Sequence, residues 1–196
     1  NGVSYRSPVL GGFQGILTIG LNEDFKSTSS ATPPVTSKAS EYHGLGLIFG
    51  QGPFNAAVSY EEFSGGVVSG SYNKAVTVGA NYNFGLATVY AAYQNTSDFG
   101  PQLAAPTFTK GTDHDAYNVG VKVPYGNFTF KAQYTSSTVD RTGALSDLDQ
   151  EKYGLSAAYA LSKRTSVYAA VTERSGDLNR NFARRNEYVL GLGHNF

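Results

Sequence analysis

The chain has 196 residues, with 15 Lys and Arg against 15 Asp and Glu, and 40% of its residues are apolar. This length is that of a single domain, and the zero net charge argues against nucleic acid as the main partner, which would call for a basic excess. The absence of Cys excludes disulfides, zinc–thiolate sites and thiol nucleophiles. No run approaches the ~20 apolar residues of a membrane-spanning helix, but alternating barrel strands give a much weaker hydropathy signal.

Alternation of apolar and polar residues with a period of two runs along almost the whole chain. In FTFKAQYT (128–135), the apolar side carries Phe128, Phe130, Ala132 and Tyr134, and the polar side carries Thr129, Lys131, Gln133 and Thr135. Each such segment is predicted to be a strand with one apolar face. In chain order the predicted strands lie near residues 1–7, 13–23, 40–50, 54–63, 74–84, 86–95, 114–124, 127–136, 152–161, 165–173 and 187–196.

The connections between these strands alternate strictly between short and long. The short ones are residues 8–12, 51–53, 85, 125–126 and 162–164. The long ones are residues 24–39, 64–73, 96–113, 137–151 and 174–186. Antiparallel neighbours would bring all tight turns to one end of the sheet and all long loops to the other, which is typical of outer-membrane barrels.

Strand length and aromatic placement favour the same architecture. Most predicted strands are close to the ~9–11 residues that a tilted strand needs to cross a bilayer. Tyr and Phe cluster near the ends of the apolar rows, where a membrane–water boundary favours amphipathic rings. We therefore predict an all-β fold, a transmembrane antiparallel up-and-down β-barrel with an apolar outer face and a polar bore.

Four segments resemble the general porins of Gram-negative outer membranes, in their neisserial and beta-proteobacterial branch. The most specific is the LSKRT turn (161–165), which is followed by a Tyr-bearing strand. The other segments are YRSPVLGGFQG (5–15), VGVKVPYGNFTFKAQY (119–134) and the ending VLGLGHNF (189–196). The resemblance implies a passive channel for ions and small hydrophilic solutes in the outer membrane, with no enzyme activity and no cofactor.

The resemblance also implies that the chain is part of a longer barrel. A segment like residues 5–13 follows the sixth strand of sixteen in the family, so the eleven predicted strands would be the sixth to the sixteenth. Residues 1–196 are then expected to be the C-terminal portion of one porin domain, of a protein that forms a homotrimer. The small residues Ala87, Ala91 and Ala169 would suit close packing between subunits.

The last strand carries a second expectation from the resemblance. It is similar to the signal read by the barrel-assembly machinery. The residues that would carry this signal are Tyr188, Leu190, Leu192 and Phe196. Outer-membrane lipid and lipopolysaccharide are the other expected partners, and the basic loop at residues 173–187 would either contact lipopolysaccharide phosphates or remain solvated.

Five charged residues are predicted to line the bore, because they alternate with the apolar rows. These residues are Arg6, Glu61, Lys122, Lys131 and Glu187. Charged rings on a pore wall set ion selectivity, and the other interpretation is a solvated charge at the edge of the lumen. The resemblance gives Arg6 a special place, since it would directly follow the inward-folded constriction loop of the family.

Other motifs are weaker. The stretch DLDQE (147–151) resembles the start of a calcium loop, but Lys152 stands where that loop needs Gly, so an acidic loop is expected. His43, His114 and His194 lie on separate predicted strands without the spacing of a metal site or catalytic triad. Two alternatives remain open: a smaller outer-membrane barrel acting as an enzyme or adhesin, and a soluble β-sandwich.

Overall fold

A computed structural model describes residues 2–21, 24–26, 36–38, 41–64, 74–99, 112–141, 146–177 and 185–195. All regular structure in these ranges is β-strand. The strands are β1 (Gly2–Arg6), β2 (Phe13–Gly20), β3 (Asp24–Lys26), β4 (Thr36–Lys38), β5 (Glu41–Gln51), β6 (Phe54–Ser64), β7 (Lys74–Asn83), β8 (Thr88–Phe99), β9 (Thr112–Tyr125), β10 (Phe128–Val139), β11 (Leu148–Ala160), β12 (Thr165–Gly176) and β13 (Asn186–His194). The described ranges contain no helix long and apolar enough to span a membrane.

Eleven of these strands form one antiparallel sheet in chain order, β1-β2-β5-β6-β7-β8-β9-β10-β11-β12-β13. The predicted number of strands and the up-and-down order are therefore confirmed. The remaining two, β3 and β4, pair only with each other and lie within the predicted long loop 24–39. That small hairpin was not predicted, because its six residues are too few to show a convincing alternation.

The tight turns that join neighbouring strands lie at one end of the sheet. Gly85 and Gly126 have φ values of +86° and +56°, which a residue with a Cβ rarely adopts, and this explains glycine at these two turns. At the opposite end, β9, β10 and β11 run two to four residues further than predicted. Ser, Thr and Asp at these ends looked like loop residues in the sequence, but their backbones continue the hydrogen-bonded ladder.

The sheet has no dry core in the part of the chain that the structure describes. Ala75 and Val139 are the only apolar side chains there that are classed as buried, at 1% and 2% exposure. Leu155 is 59% exposed, and Phe130 lies on the same face and is also exposed. A soluble β-sandwich would cover such side chains with a second sheet, so this face does not have the packing of a sandwich interior.

The two outermost strands, β1 and β13, each pair with a single neighbour and do not pair with each other. The eleven-stranded sheet is thus open, with one free edge on each side among the described strands. Free edges expose unpaired N–H and C=O groups, which hydrocarbon cannot solvate.

Candidate functional site

The cross-strand register divides the side chains of the large sheet into two faces with different chemistry. Residues directly opposite each other in antiparallel strands point to the same side. Leu155 is opposite Ala132 and Val171, and every residue in this row is apolar. Gly154, next in sequence, is opposite Gln133 and Thr172 on the other side. We call these the apolar face and the polar face.

At the turn end, the apolar face carries a belt of aromatic rings. Phe13 and Phe49 lie with ring centroids 4.5 Å apart, and Phe128 and Tyr159 with centroids 4.7 Å apart. The full turn-end belt consists of Phe13, Phe49, Phe54, Tyr82, Phe84, Tyr125, Phe128 and Tyr159. Such packed rings at one level are typical of the aromatic girdle at a membrane interface.

A second aromatic belt lies near the loop end of the same face. It consists of Tyr60, Tyr93, Tyr117, Tyr134 and Tyr153. Carboxylates lie beyond it and accept hydrogen bonds from its hydroxyls. Tyr60 donates to Glu62 at 2.8 Å, Tyr134 donates to Glu151 at 2.9 Å, and Tyr93 donates to Asp115. The rings therefore separate an apolar band from a charged rim.

The distance between belt and rim fits a bilayer. On β6, eight residues separate Phe54 in the turn-end belt from Glu62 in the rim, which is about 27 Å at ~3.4 Å per residue. A tilt of about 40° reduces this to roughly 20 Å of membrane depth, close to the ~25 Å apolar band of outer-membrane barrels.

All five predicted bore residues lie on the polar face. Arg6 is opposite Ile16 on β2, and Glu61 is opposite Gly44 on β5. Lys122 and Lys131 are opposite each other, and Glu187 is opposite Thr172. Whether this face lines a channel remains a prediction, since the register fixes only the side of the sheet.

Lys122 and Lys131 form a direct cross-strand pair of like charges, with Thr88 on the far side of Lys122 and Ser156 on the far side of Lys131. The two wall carboxylates are engaged elsewhere. Tyr42 donates a hydrogen bond to Glu61 at 2.6 Å. The two lysines therefore have no carboxylate opposite them on either neighbouring strand.

A second basic pair on the polar face was missed as a candidate site. Lys152 on β11 is directly opposite Arg174 on β12, and Arg174 forms an ion pair with Glu187 at 3.4 Å. The sequence prediction put Arg174 in a basic loop, but the strand continues to Gly176. The alternation around Tyr153 already put Lys152 on the polar side, which is the signal that could have identified it.

On the polar face, the ring of Tyr168 lies over Gly191 of the neighbouring strand. A Cβ at Gly191 would collide with the ring of Tyr168, which is opposite it across β12 and β13. Tyr90 is opposite Gly120, but its ring is not among the atoms nearest to that glycine, which belong to Ala132 and Gln133. A side chain at position 191 would force the partly exposed ring of Tyr168 to turn aside.

The predicted assembly-signal residues lie on the apolar face of the edge strand β13. Tyr188, Leu190 and Leu192 are opposite Val171, Ala169 and Val167, and Leu190 is 86% exposed. Phe196 lies outside the described residues.

The structure brings together no catalytic or metal-binding group among the residues that it describes. No cluster of three or more potential metal ligands occurs there. His43 and His194 lie on the apolar face and His114 on the polar face. The ring Nδ1 of His194 lies 2.9 Å from Oγ1 of Thr165, a hydrogen bond to the neighbouring strand.

The predicted acidic loop at residues 147–151 is largely strand. Leu148 begins β11, and Asp149 lies on the apolar face, where Thr138 donates a hydrogen bond to it at 2.8 Å. Just beyond β10, Asp140 belongs to the same acidic end of the sheet. Partial burial, and then the nearby carboxylate of Asp147, raise the pKa of Asp140 above its ordinary value.

Comparison with solved structures shows the porin fold. The chain aligns over its full length with 60% of a porin refined at 1.8 Å resolution, with a TM-score of 0.68 and 17% identity. It aligns over 98% of its length with 62% of a loop-deletion mutant of OmpT, an outer membrane protein of Vibrio cholerae (TM-score 0.67, 15% identity). It also aligns fully with 55% of a mutant Rh. blastica porin (TM-score 0.62, 21% identity).

The chain thus spans about 60% of the length of these structures. A comparison with curated proteins found no match. The family model for Gram-negative porins matches residues 1–179, nine-tenths of the chain. The chain therefore belongs to the Gram-negative porin family and is an outer-membrane protein.

Proposed function

We propose that this protein forms a water-filled channel through which ions and small hydrophilic solutes diffuse passively across the outer membrane. The observation that carries the proposal is the division of one continuous sheet into an apolar face with two aromatic belts and a polar face bearing charges. Closing such a sheet with its apolar face outward gives a cylinder that lipid can surround and water can fill.

The described sheet is the C-terminal portion of that cylinder, and five further strands complete a sixteen-stranded barrel. Two observations support this. The free edges of β1 and β13 need partners in a membrane, and the solved porins extend well beyond the part that this chain matches. The LSKRT turn at residues 161–165 supports a neisserial or beta-proteobacterial origin.

The polar face is the wall of the bore. Arg6, Glu61, Lys122, Lys131 and Glu187 line it, and the register adds Lys152 and Arg174. The transport step is diffusion, so the protein needs no catalytic group and no cofactor, and it is not an enzyme. Wall charges act by attracting or repelling ions as they pass.

The complete protein assembles as a homotrimer in the outer membrane, through part of its apolar face. Ala87, Ala91 and Ala169 are small enough to permit close subunit packing, and Ala91 and Ala169 lie on that face. Lipid and lipopolysaccharide cover the rest of it. The barrel-assembly machinery recognises the last strand through Tyr188, Leu190, Leu192 and Phe196, the first three of which are exposed along one row.

Single-channel recording with the complete protein in planar lipid bilayers tests the channel and its trimeric state together. We expect stepwise openings in groups of three, and no openings when heat-denatured protein is added as the control. A bilayer that stays silent with correctly folded protein contradicts the channel. Hydrolysis of lipid or peptide by that same protein would instead favour the smaller barrel that acts as an enzyme.

A further inference from the structure

The zero net charge of the chain hides a separation of charge between the two faces. Carboxylates dominate the rim of the apolar face, with Glu62, Asp115, Asp149, Glu151 and Glu173 on it. The polar face carries the cations Arg6, Lys122, Lys131, Lys152 and Arg174 against the carboxylates Glu61 and Glu187. Among the described strands, the polar face is therefore net positive.

Three of these seven wall charges have a partner among the described residues. Arg174 is paired with Glu187 at 3.4 Å, and Glu61 accepts the hydroxyl of Tyr42 at 2.6 Å. Lys122 and Lys131 make no ion pair and no hydrogen bond to any described residue. Arg6 and Lys152 also have no such partner among the described residues, but of these four cations only Lys122 and Lys131 lie directly opposite each other. The uncompensated positive charge of the wall is therefore densest at this pair.

The two lysines are also held close together. They are direct partners in the β9–β10 ladder, where opposite Cα atoms lie about 4.5–5.5 Å apart. Like charges directly opposite each other destabilise a sheet. An anion between the two ammonium groups would remove that repulsion.

An open recess beside the pair could receive such an anion. Lys122 and Lys131 border an open recess of about 450 Å³, whose other polar walls are Tyr90, Asn118 and Gln133. Gly120 lies between Tyr90 and Gln133 in the register and leaves the floor of the recess free. The amide of Asn118 already donates hydrogen bonds to Thr135 and to the Tyr134 carbonyl. The Tyr90 hydroxyl and the Gln133 amide can donate hydrogen bonds to oxygen atoms that the ammonium groups attract.

We propose that Lys122 and Lys131 form a binding site for small oxyanions, such as phosphate and short carboxylates, and that this site makes the pore prefer anions. The inference depends on the proposed channel, because only there does the polar face meet passing solutes. Binding is weak and reversible, since two solvated ammonium groups in water attract an anion by only a small multiple of thermal energy. Weak binding permits entry and release.

The test compares the complete wild-type protein with Lys122→Gln/Lys131→Gln in planar bilayers under a KCl gradient. At about 0.1 M salt, where the Debye length is ~10 Å, we expect the chloride-over-potassium permeability ratio to fall roughly threefold in the double variant. At ~1 M salt the difference should shrink, because screening shortens to ~3 Å. Added inorganic phosphate should reduce chloride current in the wild type and much less in the variant.

Two further variants control the experiment. Lys163→Gln removes a lysine from the tight turn between β11 and β12, seven residues beyond Ser156, which is opposite Lys131, and should leave selectivity unchanged. Lys122→Arg/Lys131→Arg keeps both charges and should retain the wild-type ratio. A double glutamine variant that conducts with unchanged selectivity and phosphate sensitivity would overturn the oxyanion site while leaving the channel intact. A silent wild type would overturn both.

Discussion

A charge introduced at Leu155 tests whether the apolar face meets lipid. Leu155 is 59% exposed on β11, two residues from Tyr153 in the loop-end belt and four from Tyr159 in the turn-end belt. At ~3.4 Å per residue and a tilt of about 40°, its depth is roughly 5 Å below one belt and 10 Å above the other. Leu155→Arg therefore puts a guanidinium well inside the apolar band.

The expected cost follows from that depth. Arg on the lipid face of a barrel costs about 2–4 kcal/mol at the midplane and ~0–1 kcal/mol near the interface. Leu155 lies about one third of the way across the band, so we expect Leu155→Arg to lower the free energy of unfolding by about 2–3 kcal/mol. This corresponds to roughly a 30- to 150-fold decrease in the folding equilibrium constant.

The neighbouring residue provides the matched control. Ser156 lies on the polar face, so Ser156→Arg keeps its charge in water and should change stability by no more than about 0.5 kcal/mol. Both variants of the complete protein are folded into lipid vesicles and unfolded with guanidinium chloride, followed by far-ultraviolet circular dichroism. High salt suppresses repulsion between the new Arg and Lys131. A larger loss for Ser156→Arg than for Leu155→Arg would show that the assignment of the two faces is reversed.

Two other stability predictions follow from contacts on the polar face. Tyr42→Phe removes the 2.6 Å hydrogen bond to Glu61 and should lower the free energy of unfolding by about 1–2 kcal/mol. The control is Tyr125→Phe, in an exposed ring of the turn-end belt, which should have no effect on stability. Equal losses of stability in the two variants would show that the Tyr42 hydrogen bond contributes nothing. Gly191→Ala brings a methyl group against the outer atoms of the Tyr168 ring, which must turn aside, and should cost about 1 kcal/mol. Gly79→Ala meets only ordinary contacts at 3.6 Å and should be nearly neutral, so denaturant midpoints that agree for both alanine variants would refute the steric argument.

The faces of the sheet could be predicted from the sequence because alternation depends only on strand geometry. The Lys122–Lys131 pair could also have been found, because the tight turn at Gly126 fixes which residues of β9 and β10 are opposite. The contact between Arg174 and Glu187 could not, since a long loop separates their strands and leaves the register undetermined. The additional strand residues at the ends of β10 (137–139) and β11 (148–151) were not predicted, because most of them are Ser, Thr, Asp, Gln or Glu, which are also common in loops.

The open edges of the sheet have a practical consequence for work on this polypeptide. Produced alone, residues 1–196 would offer the backbones of β1 and β13 to any strand nearby, including those of other copies, so refolding should give mixed oligomers and precipitate. Supplying the complementary strands as a second polypeptide during refolding should satisfy both edges at once. In such a two-piece reconstitution, the strands of one polypeptide could be varied while those of the other are kept unchanged.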